Sequence, residues 1–483
     1  MMFSSNQSIT RRSFLARSGA ATIAAAAASG ATRAAEARQM NMLFLISDDL
    51  NNVLGCYGHS EIHTPNIDRF ADRSLKFNRA YCQFPLCNPS RSSMMTGLYP
   101  DETRVLNNKA LFRDRYPDIA TMPQWFQQHG YTAARVGKLF HYGVPTQIGT
   151  NGLDDPTSWD KVVNPRGRDV DDEDKIFSLR EGKFGGVLSW LAADGTDEEQ
   201  TDGMVATQSI RLMEEHKAKP FFLGVGFYRP HTPFVAPKKY FDLYPIDDIE
   251  PLPFPEEWEP AAAFVNAKPE QREMTDRQRQ EAAQAYYASI TFLDAQVGRV
   301  LNALEELGLV DNTVVAFTSD HGYHLGEHGL WQKRSLFEES ARVPLLLSAP
   351  GMTTQGKSTD SLAELVDLYP TFADCCGLPI PQHASGVSLK PTLKDTEAHT
   401  KDIALTMDTR HVQEDGKRID FKGYSIRSDR WRYTEWDGGK RGAELYDHTN
   451  DAQEQLNLMN SEAHHGIAQQ MKRLLGERLA AMA

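Results

Sequence analysis

Two short stretches of this sequence combine residue types that can act on an anionic ligand. The apolar run at residues 42–47 ends directly on Asp48-Asp49, the pattern of a buried parallel strand that delivers two carboxylates at its C-terminal end. In open α/β sheets that end is where ligands bind. The second stretch is Pro85-Leu86-Cys87-Asn88-Pro89-Ser90-Arg91-Ser92-Ser93-Met94-Met95-Thr96-Gly97. Proline suits an early helix position, so Pro89 places the side chain of residue 87 near a helix N-terminus, where backbone N–H groups stabilise developing negative charge. Arg91 sits one turn further on. Its guanidinium can point back at residue 87 and at an oxyanion bound there.

The elements that must hold these residues are legible as periodicity. Apolar runs resembling 42–47 recur at 131–136, 220–227, 313–319 and 343–348, with helical patterns between them. The clearest helix has Ile290, Leu293, Val297, Val300, Leu301, Leu304 and Leu307 at three- and four-residue spacing and stops at Gly308, a natural left-handed cap. Strands alternating with helices predict an α/β domain built on a large, mostly parallel sheet sandwiched by helices. Residues 142–200 break the pattern and carry an acidic run of Asp169, Asp171, Asp172, Glu173 and Asp174. Such a segment is either a lid or substrate wall, or a solvated linker. From about Ile403 short alternating strands appear, at 424–427 and 431–434, followed by an amphipathic helix from Ser461. That texture predicts a small C-terminal α+β domain.

Composition limits the functions available. The 483 residues are 40% hydrophobic and 24% charged, too apolar for a disordered chain and too polar for a multi-span membrane protein. A formal net charge of −13 argues against a nucleic-acid partner, which needs a cationic face to release counterions. The five cysteines, Cys56, Cys82, Cys87, Cys375 and Cys376, form neither a disulfide framework nor a zinc pair. Adjacent Cys375 and Cys376 read as a buried pair behind an apolar helix face. Residues 1–37 open with Thr10-Arg11-Arg12-Ser13-Phe14-Leu15, continue through an alanine-rich stretch and end on Ala35-Glu36-Ala37. This resembles a cleavable twin-arginine signal, too short and weakly apolar for a stable membrane span. It implies the twin-arginine export machinery as a partner and a periplasmic or secreted bacterial protein. Its removal takes away four arginines and one glutamate, moving the formal charge from −13 to −16.

Cys87-x-Pro89-Ser90-Arg91 followed by Thr96-Gly97 resembles the signature of the type I sulfatases. Gly130-Tyr131-Thr132-Ala133-Ala134-Arg135-Val136-Gly137-Lys138-Leu139-Phe140-His141 is similar to the second signature of that family. Thr64-Pro65-Asn66-Ile67-Asp68, Arg229-Pro230-His231-Thr232-Pro233-Phe234, Ser319-Asp320-His321-Gly322, Gly326-Glu327-His328-Gly329 and Lys333 follow in family order. The likeness runs from about Asn41 to Leu458. It is greatest to the iduronate 2-sulfatase branch, because His321 follows Asp320 where most members have Asn, and because Gly137-Lys138-Leu139-Phe140-His141 and Gly423-Tyr424-Ser425-Ile426-Arg427 match it. Asn88 departs from the small residues usual at its position.

The resemblance implies an alkaline-phosphatase-like sulfatase fold, with a catalytic domain at 38–398 and a C-terminal α+β subdomain at 399–483. It implies that a separate formylglycine-generating or equivalent enzyme oxidises Cys87 to Cα-formylglycine, whose hydrate attacks sulfur. One Ca²⁺ per chain would be held by Asp48, Asp49, Asp320, His321 and an oxygen of residue 87, answering the need to neutralise oxygen charge before a nucleophile approaches. Arg91 and Lys138 would hold residue 87 and the sulfate, His141 would be the base of the second step, and His231 with Lys333 would protonate the leaving oxygen and clamp the sulfate. The implied substrate is a sulfated carbohydrate, a uronate 2-sulfate of a glycosaminoglycan or a related polysaccharide fragment. Two rivals remain: a phosphate or phosphonate monoester hydrolase of the same superfamily, and a non-catalytic glycan-binding homologue whose Cys87 stays a thiol. His324 and His328, four residues apart, are expected to be structural because no acid completes a zincin pattern.

Overall fold

A computed structural model of the chain describes residues 39–250 and 268–482. The expected export signal at residues 1–37 lies outside the described residues. The elements used below are β1 (Asn41–Asp48), β2 (Leu75–Tyr81), α1 (Cys87–Thr96), β3 (Thr132–Gly137), β4 (Lys161–Val163), α2 (Thr201–His216), β5 (Phe221–Pro230), α3 (Asp276–Glu306), β6 (Thr313–Ser319), β7 (Arg342–Ser348), β8 (Lys357–Thr359), α4 (Leu368–Cys375), β9 (Ala404–Glu414), β10 (Lys417–Arg427), β11 (Trp431–Trp436), β12 (Ala443–Asp447) and α5 (His465–Ala481).

The main sheet runs β8-β2-β7-β6-β1-β5-β3-β4. Its middle, β6-β1-β5-β3, is parallel throughout, with Ser47 opposite Ser319, Asp48 opposite Pro230, and Gly137 opposite Gly226. The four chains therefore leave the sheet at one edge. β7 runs antiparallel to both β6 and β2, so the sheet is mixed. An apolar run reports burial on both faces and carries no direction.

Alternation along β1 assigns its side chains to two cores. Leu43 and Leu45 pack with α2 and α3 residues such as Leu212, Leu293 and Val297. Met42, Phe44 and Ile46 pack on the other face with Met94, Met95 and Phe372 of α1 and α4. α3 is anchored where Thr275 Oγ1 accepts from the Gln278 backbone N–H at 3.2 Å, and it ends before Gly308 at φ 66°. Cys376 is buried in the second core, and Cys375 is only half-buried beside it.

The expected C-terminal region is an antiparallel sheet, β9-β10-β11-β12, covered by α5. Its core includes Tyr99 and Val366 from the main layer, and residues 40–483 form one compact unit. The irregular stretch at 142–200 contributes Phe177–Ser178 and Ser189–Ala193 to a three-stranded sheet completed by Phe234–Pro237. Among the described residues no helix is long and apolar enough to cross a membrane.

Candidate active site

Because β6, β1, β5 and β3 end side by side, the residues at or just beyond their ends meet: Asp320-His321, Asp48-Asp49, His231 and Lys138. All of these are buried. The turn after β1 forces Asp49 to φ 67°, a conformation that L-residues seldom adopt. It is held there by α3, where the Tyr286 hydroxyl donates to Asp49 O at 2.8 Å and accepts from the Asn51 backbone N–H at 3.0 Å. Asp49 N–H also donates to Asp320 Oδ1 at 3.2 Å.

α1 begins at Cys87, with Pro89 in its first turn, and every residue of the helix is buried. Asn88 has a structural use: its Nδ2 donates to the carbonyls of Asn107 and Ala110, both at 2.8 Å, fixing the loop beside the helix start. Cys87 Sγ lies 3.4 Å from His321 Nε2, 3.8 Å from Asp49 Oδ1 and 3.2 Å from Lys333 Nζ. Burial pushes the Cys87 thiol well above its usual range, with Lys333 opposing. In this environment the unmodified residue is a thiol.

Arg91 and Lys138 were expected to grip residue 87; they grip the acids instead. Arg91 Nε donates to Asp320 Oδ2 at 2.8 Å, and its two terminal nitrogens donate to Asp48 Oδ1 at 3.2 Å and to the carbonyls of Lys138, Leu139 and Ser47 at 2.5, 3.1 and 3.3 Å. Lys138 Nζ donates to Asp48 Oδ2 at 2.5 Å. A fully buried cation binds the nearest buried carboxylate before a neutral thiol. Residue 87 takes its cation from Lys333, which also donates to Asp49 Oδ1 at 2.5 Å.

The resulting field separates the two aspartates. Burial pushes Asp48 up, but the cations Lys138, Arg91 and Lys333 outweigh it and hold its carboxyl well below the usual range. Asp49 goes the other way, because burial and the negative Asp48 and Asp320 beside it exceed the help from Lys333. His141 is pushed down to about 2 by burial and then by Lys138, and its Nδ1 is buried with no hydrogen-bond partner. His231 is also pushed well down, by burial and then Lys333. Its Nδ1 lies 2.5 Å from the Thr232 carbonyl and must donate, which leaves Nε2 as the acceptor, 3.8 Å from Asp49 Oδ2.

Two observations test whether these residues suit a cation. Asp49 Oδ2 is buried without a hydrogen-bond partner among the described residues. His321 Nδ1 lies 2.9 Å from the Gly322 carbonyl and donates to it, so Nε2 turns its lone pair toward Asp49 Oδ1 at 3.3 Å and Asp320 Oδ1 at 3.6 Å. Asp49 Oδ2 and the His321 Nε2 lone pair are acceptors left open beside carboxylates that already take Lys333, Lys138 and Arg91, and a positive ion would engage such open acceptors. Two buried groups sharing Cys87, one of Asp48, Asp49, Cys87 and His231 and one of Cys87, Asp320 and His321, each bring their ligand atoms within 4.8 Å of one another, and their carboxylate oxygens suit a divalent cation.

Several supports were not legible in the sequence. Arg229 donates to Asp169 Oδ2 at 2.5 Å, the pair being almost wholly buried, and Asp202 accepts from the backbone N–H groups of Tyr228 and Arg229 at 2.9 Å each. Together they brace the turn that presents His231. Of the acidic run at 169–174, only Asp169 is drawn inside. His324 donates or accepts through Nε2 with Ser335 Oγ at 2.7 Å, and the His328 ring stacks on Phe337 at 4.1 Å, so both have packing partners of their own.

Above the acids lies a cleft of about 300 Å³ that includes His141, His231, Lys333, Arg334, Lys268 and Gly186 in its lining. The irregular segment therefore supplies part of its wall through residues 142–144 and 184–186.

The family profile described as Sulfatase matches residues 40–378, and that described as N-sulphoglucosamine sulphohydrolase, C-terminal, matches residues 326–481. Iduronate 2-sulfatase of Mus musculus is 33% identical, over 90% of this chain and 93% of its own length. Among solved structures, a phosphonate monoester hydrolase of Agrobacterium radiobacter superposes with a TM-score of 0.73 at 21% identity, covering 92% of this chain and 96% of the other. A structure in complex with its substrate D-glucosamine-2-N,6-O-disulfate gives 0.71 at 22% identity, covering 92% and 98%. At these identities the solved structures establish the fold alone, a sulfatase-type, alkaline-phosphatase-like α/β architecture.

Proposed function

The chain belongs to the sulfatase family and is a sulfuric ester hydrolase, and on that premise we propose that it desulfates a glycosaminoglycan or related polysaccharide fragment at a uronate 2-sulfate. The observation that carries the reading is the position of residue 87, at a helix N-terminus and within 3.8 Å of Lys333, His321 and Asp49. The similarity to iduronate 2-sulfatase supports the choice of sugar.

In this reading Asp48, Asp49, Asp320, His321 and residue 87 would hold one Ca²⁺, which would neutralise sulfate oxygen charge, and formylglycine at residue 87 would supply the attacking hydroxyl. Arg91 and Lys138 hold Asp48 and Asp320 in place and keep Asp48 ionised. Lys333 reaches the space beside residue 87 and binds a sulfate oxygen. His231 offers Nε2 to the leaving oxygen; the charge of the arriving sulfate offsets Lys333 and lets that nitrogen carry a proton to the departing alcohol. His141 offers its unpartnered Nδ1 to the proton released at residue 87, the charge of the bound sulfate offsetting the Lys138 that otherwise keeps this ring neutral. A formylglycine-generating enzyme and the twin-arginine machinery are the maturation partners, and the periplasm or exterior is the destination, on the strength of Cys87-x-Pro89-Ser90-Arg91 and Arg11-Arg12.

The fold is shared with a phosphonate monoester hydrolase, so the decisive experiment compares kcat/KM on p-nitrophenyl sulfate, p-nitrophenyl phosphate and a phosphonate monoester. A sulfate ester turned over best supports the reading. Preference for either phosphorus ester refutes it, and sugar binding without turnover of any ester identifies a glycan-binding homologue.

A further inference from the structure

The cleft above residue 87 has a charge pattern that one sulfate does not account for. Among the described residues none of its lining is acidic, while Lys333, Arg334 and Lys268 all contribute to it. Two of these cations already have carboxylate partners: Lys333 lies 2.5 Å from Asp49 Oδ1, and Arg334 lies 2.5 Å from Asp408 Oδ1. Lys268 has none within ion-pair distance among the described residues. Its ammonium donates to the Gly186 carbonyl and to Gln332 Oε1, the latter at 2.5 Å, both neutral acceptors. An ammonium has three donors, so one remains for a ligand.

The anchoring is built rather than incidental. Gln332 Oε1 is held from a second side by Gln271 Nε2 at 2.9 Å, and Gln332 itself sits at φ 72°. Gly186 follows Gly185, whose φ of 72° and close approach to the Val144 carbonyl leave no room for a side chain. The irregular segment and the loop preceding Lys333 thus converge on one lysine, and burial pushes that ammonium down to about 8, the mark of a cation without an adequate counter-charge. Glu270 opposes that shift, and Lys268 lines the same cleft as Lys333 and His231, the groups proposed to meet the sulfate.

We propose that Lys268 binds a second anionic group, a carboxylate or a further sulfate, on the sugar that carries the scissile sulfate. This rests on the sulfatase reading and names the substrate feature that the site selects. Lys268 is a specificity residue: it touches substrate away from the reacting sulfur and contributes charge-assisted hydrogen bonding.

The test measures kcat/KM for the full-length matured enzyme and for Lys268→Gln and Lys268→Arg on two substrate pairs: a 2-O-sulfated hexuronate against its carboxyl-reduced alcohol, and a disulfated hexosamine against its monosulfated counterpart. Wild type should prefer the doubly anionic member of one pair by about tenfold or more. Lys268→Gln should bring that ratio toward one, mainly through KM, and Lys268→Arg should retain much of it. The hexuronate pair responding identifies a carboxylate, and the hexosamine pair a second sulfate. Ratios unchanged by Lys268→Gln in both pairs, in an enzyme that still releases sulfate, overturn the proposal alone. Failure of wild type to release sulfate from all four overturns the proposed sugar-sulfate substrate with it.

Discussion

Replacing Arg91 by Met should show how much of the site rests on one buried guanidinium. Arg91 is fully buried and serves two carboxylates and three carbonyls. When it is removed, Asp48 keeps Lys138 at 2.5 Å, but Asp320 Oδ2 loses the cation that lay 2.8 Å away. An uncompensated buried carboxylate costs about 3–5 kcal/mol, a large share of the roughly 5–15 kcal/mol that holds a domain together. The assay is urea unfolding followed by tryptophan fluorescence, with chelator present so that no cation compensates Asp320. The double variant Arg91→Met, Asp320→Asn removes the stranded charge as well, so it should recover about 2 kcal/mol or more relative to the sum of the two single losses. Strict additivity would mean that Arg91 and Asp320 do not depend on one another, and the electrostatic reasoning would be wrong.

Three further outcomes are expected. His231→Ala should lose about 10²- to 10⁴-fold on sugar sulfates and less on aryl sulfates, because a phenolate leaves without help; equal losses on both would make His231 a sulfate-binding group only. Exhaustive EGTA treatment should abolish turnover and Ca²⁺ should restore it, whereas full activity after chelation removes the metal assignment. Burial, and then Glu454, push Glu444 from an ordinary 4.5 to about 8 against Arg432. The folded protein therefore binds a proton that the unfolded chain releases, and this stability, present below about pH 4.5, falls by ~1.4 kcal/mol per pH unit as the pH rises toward 8. Glu444→Gln should flatten that part of the profile of unfolding midpoint against pH, and a parallel slope in both proteins would exclude Glu444 as its source.

The strands and the identity of the site residues were open to sequence reading because both are local. Burial of β1 on two faces makes it apolar from end to end, and its last residue is the first ligand candidate. Direction and pairing are not local: β7 looks like its parallel neighbours although it runs the other way. The same limit applies within the site. Cys87-x-Pro89-Ser90-Arg91 puts Arg91 one turn from residue 87, yet its partners come from β1, from the segment after β3 and from the residue beyond β6. Asp169 and Arg229 are 60 residues apart, and nothing in an acidic run distinguishes the one member that becomes buried. Lys268 is not legible as a site residue, because a lone lysine has no pattern until the cleft around it exists.

The chemistry proposed for residue 87 is best tested by the mass of the tryptic peptide spanning residues 80–91, taken from enzyme that releases sulfate at full rate. Conversion of Cys87 to the aldehyde exchanges sulfur for oxygen with loss of two hydrogens, so the peptide should be lighter than the unmodified sequence by about 18 Da. An active preparation whose peptide carries only the unmodified thiol would contradict the account.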